Sequence, residues 1–238
     1  NSNNYMILCS ICIRGGSKGV PKKNIRMLNG NPLLFYTIDC AKKAHGFDDI
    51  VISSDSDEML EIAQQLGAEK IIKRPDHLAS DTSSKWDVFI HLVEDYEAKT
   101  GLTVDYLVDL DVTVPLRKPE HIEGAIKMML DNDTDVVITG YEPERNPYFN
   151  MMELSDGKYA TMVKKTDKPI VRRQDAPVVF SLTPAVYVVR KEALYQFKHW
   201  SEARCMIYEI PRQNAVDIDT EFDFKLVEFL MQNNNTNG

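Results

Sequence analysis

Two stretches near opposite ends of this 238-residue chain carry residue types that handle phosphates and cations. The first, "RGGSKGVPKKN" over residues 14–24, packs three glycines and four cations directly behind the apolar run "MILCSICI". Glycines allow the backbone to approach an anion closely. The amides of Gly15 and Gly16, with Arg14, Ser17, Lys18 and Lys23, make a donor set suited to a triphosphate. The second stretch is "AVDIDTEFDF", residues 215–224, where Asp217 and Asp219 are two positions apart. A strand would carry both carboxylates on one face. Two like charges so placed call for a cation, and one or two carboxylates plus substrate phosphates are the usual donors to Mg²⁺. Asp219 also reads as the cap of a following helix.

Other chemistries compete for the same residues. The glycine stretch matches neither the P-loop nor the dinucleotide fingerprint. Gly15 to Gly19 does have the G-x-S-x-G spacing of a hydrolase elbow, with Ser17 as nucleophile and His121 or His199 as base. Against it, only thirteen residues precede Arg14, and Pro21 sits where the elbow's helix would have to grow. A plain basic surface turn is the third reading. Of the four cysteines, Cys9, Cys12, Cys40 and Cys205, the first two form a C-x-x-C. On a strand their side chains face opposite ways, so the sequence predicts apolar filling rather than a metal site.

The elements that must position these residues alternate along the chain. "YMILCSICI" reads as a strand covered on both faces. A helix follows over "NPLLFYTIDCAKKA" with Pro32 in its first turn. "DDIVISSD" is the next strand, and "SDEMLEIAQQLGA" a helix capped by Ser56 and closed by Gly67. A helix from Lys85 to about Ala98, the strand "DYLVDLDV", a helix after Pro119 and the strand "TDVVITGY" continue the order. Residues 142–180, with "LSDGKY" and several prolines, break it and read as an inserted hairpin or arm. "PAVYVVR", a short helix over Lys191–Phe197, "CMIYEI", "AVDID" and a helix from Thr220 to about Met231 complete the chain. The expectation is an α/β fold, one domain over residues 1–238 with a mainly parallel sheet and a ligand at the strands' carboxyl ends.

Composition sets limits on partners. The 28 Lys and Arg against 36 Asp and Glu leave a net charge of −8, which argues against a nucleic-acid-coating protein. No apolar stretch approaches the roughly 20 residues of a membrane span, and no leader pattern is visible, so a soluble cytoplasmic protein is expected. Its Asn-rich ends read as tails without function.

Five stretches in order, "RGGSKGVPKKN", "VISSD", "RPDHLASDT", "VTVPLR" and "DIDTEFDF", together with "RRQDAP" and "VYVV", resemble the acylneuraminate cytidylyltransferase family over Arg14 to Phe224. The resemblance implies a Rossmann-like nucleotidyltransferase sheet with a β-rich dimerisation arm, and therefore a homodimer. It implies that Arg14, Gly15, Gly16, Ser17 and Lys18 hold the triphosphate of CTP, with Lys23 adding charge and Asn24 helping to read the nucleotide. Arg74 would face the cytidine, and Asp217 and Asp219 would hold Mg²⁺. Arg173, Gln174 and Tyr187 would lie near a 2-keto sugar acid, whose anomeric hydroxyl attacks the α-phosphorus to release pyrophosphate.

Departures cluster at the sugar end. Where the family often has Gln-Pro-Thr-Ser-Pro-Leu-Arg, this chain has Asp111-Val112-Thr113-Val114-Pro115-Leu116-Arg117. Where Asn-Gly-Ala-Ile-Tyr is usual, it has Thr183-Pro184-Ala185-Val186-Tyr187. Such exchanges alter acceptor choice, which favours legionaminic acid or another modified nonulosonate over N-acetylneuraminate. Asp111 is open as base, metal ligand or sugar contact, and Thr113 is its companion at the sugar end. The alternatives are an eight-carbon 3-deoxy-octulosonate synthetase and a catalytically silent nucleotide-binding relative.

Overall fold

The computed structural model describes residues 4–16, 22–79 and 84–236. Ser17, Lys18 and the rest of 17–21 therefore lie outside the described residues, as does the end of "RPDHLASDT". In chain order come β1 (Ile7–Ile13), the short pair β2 (Met27–Leu28) and β3 (Asn31–Pro32), α1 (Leu33–Lys43), β4 (Asp49–Ser54), α2 (Asp57–Gln65) and β5 (Lys70–Lys73). α3 (Lys85–Thr100), β6 (Tyr106–Asp109), α4 (Pro119–Asp131) and β7 (Val136–Tyr141) follow. Then come the arm strands β8 (Met152–Leu154) and β9 (Ala160–Met162), β10 (Ser181–Arg190), α5 (Lys191–Gln196), β11 (Cys205–Glu209) and α6 (Glu221–Thr236).

Seven strands form one sheet in the order β11-β7-β10-β6-β1-β4-β5. All its pairings are parallel except those of β10, which runs antiparallel to both β6 and β7. The mainly parallel expectation therefore holds. Alternation along β1 sends Ile7, Cys9, Ile11 and Ile13 into one apolar layer with α1, α2, α4 and α6. Leu8 and Cys12 face the other layer, where Trp86, Phe89, Leu92 and Val93 of α3 pack with Ala193 and Leu194 of α5. Cys9 and Cys12 thus sit on opposite faces, as strand geometry requires.

Local signals set most element ends. Ser56 Oγ accepts from Met59 N at 3.2 Å to open α2, and Gly67 closes it at φ 104°. Pro119 starts α4, where His121 Nδ1 accepts from Lys118 N at 3.0 Å. That bond commits one nitrogen of His121 to a helix start, and burial holds its pKa down.

Two expectations fail. "AVDID" is not a strand: residues 215–219 form neither strand nor helix and lie outside the sheet, held by Ile218 N donating to Thr113 O at 2.9 Å. The cap of α6 is also Thr220 rather than Asp219, with Asp223 N donating to Thr220 Oγ1 at 3.3 Å. Asp223 Oδ2 accepts from the amides of Asp219 and Thr220 in return, a capping box that frees the Asp219 carboxylate.

Candidate active site

β1 delivers the glycine loop to the carboxyl edge of the sheet. Gly15 N donates to Asp55 Oδ1 at 3.0 Å, so the aspartate that follows β4 fixes the first turn of the loop. A Cβ on Gly15 would stand 3.0 Å from Ser56 Cβ, which is why glycine is needed there, whereas Gly16 faces open space. Asn24 Nδ2 donates to Arg14 O at 3.1 Å, and Lys23 Nζ to Ile218 O at 3.0 Å. These two side chains close the loop against the 215–219 segment, so part of their donor capacity is structural.

β6 ends in a pair of acids. Asp109 is buried and accepts from Ser10 Oγ at 2.7 Å; burial pushes its carboxyl up against the pull of Lys85 and Ser10. Two residues on, Asp111 Oδ1 accepts from Thr113 N at 3.0 Å and Thr113 Oγ1 at 2.8 Å. Burial alone would raise Asp111, but Lys85 and those Thr113 donors hold it below its ordinary value. The Lys85 ammonium lies 3.4 Å from Asp111 Oδ2, 3.7 Å from Asp109 Oδ2 and 4.6 Å from the Tyr187 ring centre. Despite the opposing effect of burial, the two acids keep its pKa high.

Tyr187 reaches this cluster because β10 pairs it directly with Asp109. β10 carries a bulge between Leu182 and Tyr187, the stretch that holds Thr183-Pro184-Ala185-Val186. A proline is tolerated inside the sheet because the bulge leaves the ladder there. Buried Thr139 staples the bulge, its hydroxyl donating to Thr183 O at 2.7 Å and accepting from Val186 N at 3.0 Å. Arg117 is buried too, and donates to the carbonyls of Ala185 and Asp111. The arginine of "VTVPLR" is therefore a brace for the site floor.

Asp217 is brought to this group by its neighbour Ile218, whose N donates to Thr113 O at 2.9 Å. Asp217 Oδ1 is buried with no hydrogen-bond partner among the described residues. Burial first, then Asp111 and Asp219, push its carboxyl up to about 6. An orphaned, reluctant carboxylate beside a second one is a fitting place for a cation. No set of three or more metal-type ligands occurs among the described residues, so any ion would need donors from a ligand. Asp219 is exposed at the rim.

The structure brings together Asp111, Thr113, Tyr187 and Asp217, and joins Lys23 and Asn24 to the glycine loop. Arg74 is buried at the end of β5, its Nη1 3.4 Å from Ser53 O and its Nε without a partner among the described residues. It is thus no loop cation, and it stands at the same sheet edge. Arg173 and Gln174 line a hollow at the base of the arm with Asn146 and Val178, where Arg173 donates to Pro143 O. Sequence reasoning missed Lys85, Asp109 and Asp55. A lysine in the first turn of α3 opposes the helix dipole, and an acid ending an apolar strand is costly to bury, so both were legible signals.

A family profile described as Cytidylyltransferase matches residues 8–235. Post-translational flagellin modification protein B of Campylobacter coli is 38% identical over 229 residues, covering 96% of each chain. CMP-N,N'-diacetyllegionaminic acid synthase of Campylobacter jejuni is 37% identical over 225 residues, covering 94% of each. Among solved structures, a CMP:2-keto-3-deoxy-manno-octonic acid synthetase complexed with CTP superimposes with a TM-score of 0.72 at 16% identity, over 96% of this chain and 99% of that one.

Proposed function

This chain belongs to the cytidylyltransferase family, and from that premise we propose how its site works and which acceptor it takes. It is a CTP-dependent nucleotidyltransferase that transfers CMP to a sugar acid with release of pyrophosphate. The acceptor we assign is a nine-carbon 2-keto acid of the legionaminic type. The Campylobacter jejuni relative named for diacetyllegionaminic acid supports that choice, and Asp111 and the Thr183–Tyr187 bulge supply a sugar end unlike that expected for N-acetylneuraminate.

One observation carries the reading: the Asp111–Thr113–Asp217 group and the glycine loop share the carboxyl edge of β1 and β6, tied by Lys23 to Ile218 O at 3.0 Å. In this arrangement Arg14, Gly15 and Gly16, with Ser17 and Lys18 from the sequence, bind the triphosphate. Asp217, whose orphaned Oδ1 fits a cation, and Asp111 would hold Mg²⁺, with Asp219 at the rim. The ion would neutralise phosphate charge. Lys85 and Thr113 keep Asp111 ionised, as a ligand must be. Arg74 faces the nucleotide from beneath the loop, and Tyr187 forms the wall toward the acceptor. Positioning and electrostatic stabilisation supply the acceleration.

We also read residues 1–238 as one catalytic unit, cytoplasmic where CTP is made, and dimeric through the arm. Exposed Met152, Leu154, Tyr159, Val171 and Val178 favour the last point. The test is pyrophosphate release from each of four nucleoside triphosphates with Mg²⁺ and a panel of eight- and nine-carbon 2-keto acids. Release with CTP and a nine-carbon acid alone is expected. CTP binding with no release from any acid would sink the acceptor assignment.

A further inference from the structure

One peptide unit of the glycine loop is held at both ends by side chains. Its carbonyl, on Arg14, accepts from Asn24 Nδ2 at 3.1 Å, and its N–H, on Gly15, donates to Asp55 Oδ1 at 3.0 Å. Asn24 sets the plane of this amide, so the N–H is aimed at one place, and a carboxylate oxygen occupies that place. A backbone amide has a single hydrogen to give. A phosphate oxygen that takes this donor must therefore displace Asp55.

Asp55 is placed so that it can yield. The chain on either side of it is pinned: Ser54 O accepts from Arg74 N at 2.9 Å, Ser54 Oγ accepts from Ser56 N at 3.1 Å, and Ser56 Oγ caps α2 through Met59 N. The bond from Gly15 to Asp55, in contrast, is exposed to solvent. Releasing it takes a side-chain rotation and leaves the strand end, the helix cap and Arg74 in place. On the loop side, a Cβ built on Gly16 would meet no described atom within 4 Å, so an anion has an open approach to the amides there.

We propose that Asp55 is an exchangeable internal anion of the nucleotide site: its carboxylate sits on the Gly15 amide, gives way to a phosphate of CTP, and returns as pyrophosphate leaves. The proposal rests on the transferase reading and deepens it, because it adds a group that the phosphates must outcompete. Once displaced, the carboxylate stays within a side chain's length of the phosphates, and its charge opposes theirs. Competition and repulsion have the same sign, so Asp55 loosens the hold on CTP and on pyrophosphate alike. Its gain is turnover, since a loop rich in cations and amides would otherwise retain the product. The effect belongs to the nucleotide side: β1 lies between β4, which Asp55 follows, and β6, which leads into Asp111.

Calorimetric titration of CTP, and separately of inorganic pyrophosphate, into the full chain with Mg²⁺ and no acceptor acid tests this. Asp55→Asn keeps an oxygen for the Gly15 N–H but removes the charge, and a hydrogen bond to a charged acceptor is roughly twice as strong as a neutral one. The variant should bind each ligand about three- to tenfold more tightly, and the gain should shrink as salt rises from about 0.05 M to about 0.5 M. In the steady state its KM for CTP should fall and pyrophosphate should inhibit more strongly, with the KM for the acid within twofold of wild type. A residue needed only for the shape of the loop predicts the reverse. Weaker or unchanged CTP binding by Asp55→Asn would overturn the exchange, while CTP binding by the wild type would still support the transferase reading. Tighter CTP with unaltered pyrophosphate would overturn the release step. A wild-type chain that binds neither ligand would remove the transferase reading and the exchange with it.

Discussion

Around Asp111 the polar contacts span the chain: Lys23 reaches Ile218 across 195 positions, Ser10 reaches Asp109 across 99, and Arg117 reaches Ala185 across 68. In the arm hairpin they are local. Asp156 accepts from the amides of Lys158 and Tyr159, two and three positions on, and Ser155 N donates to Tyr159 O at 2.9 Å. The site is also half-buried on a buried floor of Asp109, Thr139 and Arg117, where the hairpin strands are largely exposed. A site assembled from distant, buried contacts exists only when the whole sheet is formed. A local, exposed hairpin can vary without disturbing it.

The contrast is sharpest at Asp217. Asp217→Asn should lower kcat by roughly a thousandfold in the pyrophosphate assay, on the scale of losing a preorganised electrostatic group. The same variant should be more thermally stable, because the orphaned buried charge is gone. The pH dependence has a definite sign. A carboxyl pushed up to about 6 in the folded chain binds its proton more tightly there than when unfolded. The penalty is present at neutral pH and disappears as pH falls through about 6 toward the unfolded value. With divalent ions chelated, the stability gap between variant and wild type should narrow from pH 7 to pH 5. A gap that widens would refute the orphaned-charge account.

Next in size is Arg117→Met. It leaves the carbonyls of Asp111 and Ala185 unpaired in the interior, and should cost about 3 kcal/mol in denaturant unfolding. Thr139→Val should lose about 1–2 kcal/mol and raise the acceptor KM by loosening the bulge beneath Tyr187. An unchanged KM would mean that the bulge holds its shape without the staple.

Smallest is Gly157→Ala in the hairpin turn. Gly157 has φ 81° and open space for a Cβ, so strain alone should cost about 1 kcal/mol, with turnover unchanged. Met152→Asp with Leu154→Asp should leave the affinity for CTP intact while shifting sedimentation from dimer to monomer. A loss of CTP affinity in that pair would erase the distinction between the two regions.

How much was legible follows from the range of the forces. Ser56, Gly67 and Pro119 set helix ends through contacts within a few residues, so those ends read directly from sequence. β5 is four residues long, with too few alternations to register as a strand. "AVDID" has strand-like residues, but its backbone pairs with Thr113 rather than with a sheet edge, and no local pattern encodes that.

The sequence by itself determined the alternation of strands and helices, the glycine loop behind β1, the hairpin nature of the arm and the family. Each is a property of neighbouring residues or of ordered motifs. Only the tertiary structure decided that Lys85, Asp109, Asp111 and Tyr187 form one cluster, that Arg117 braces the floor, and that Arg173 lines a hollow at the base of the arm. Those outcomes depend on β10 entering antiparallel beside β6, which sets Tyr187 opposite Asp109. Strand order and register arise from burial summed over the whole sheet, and that sum is not written in any one segment.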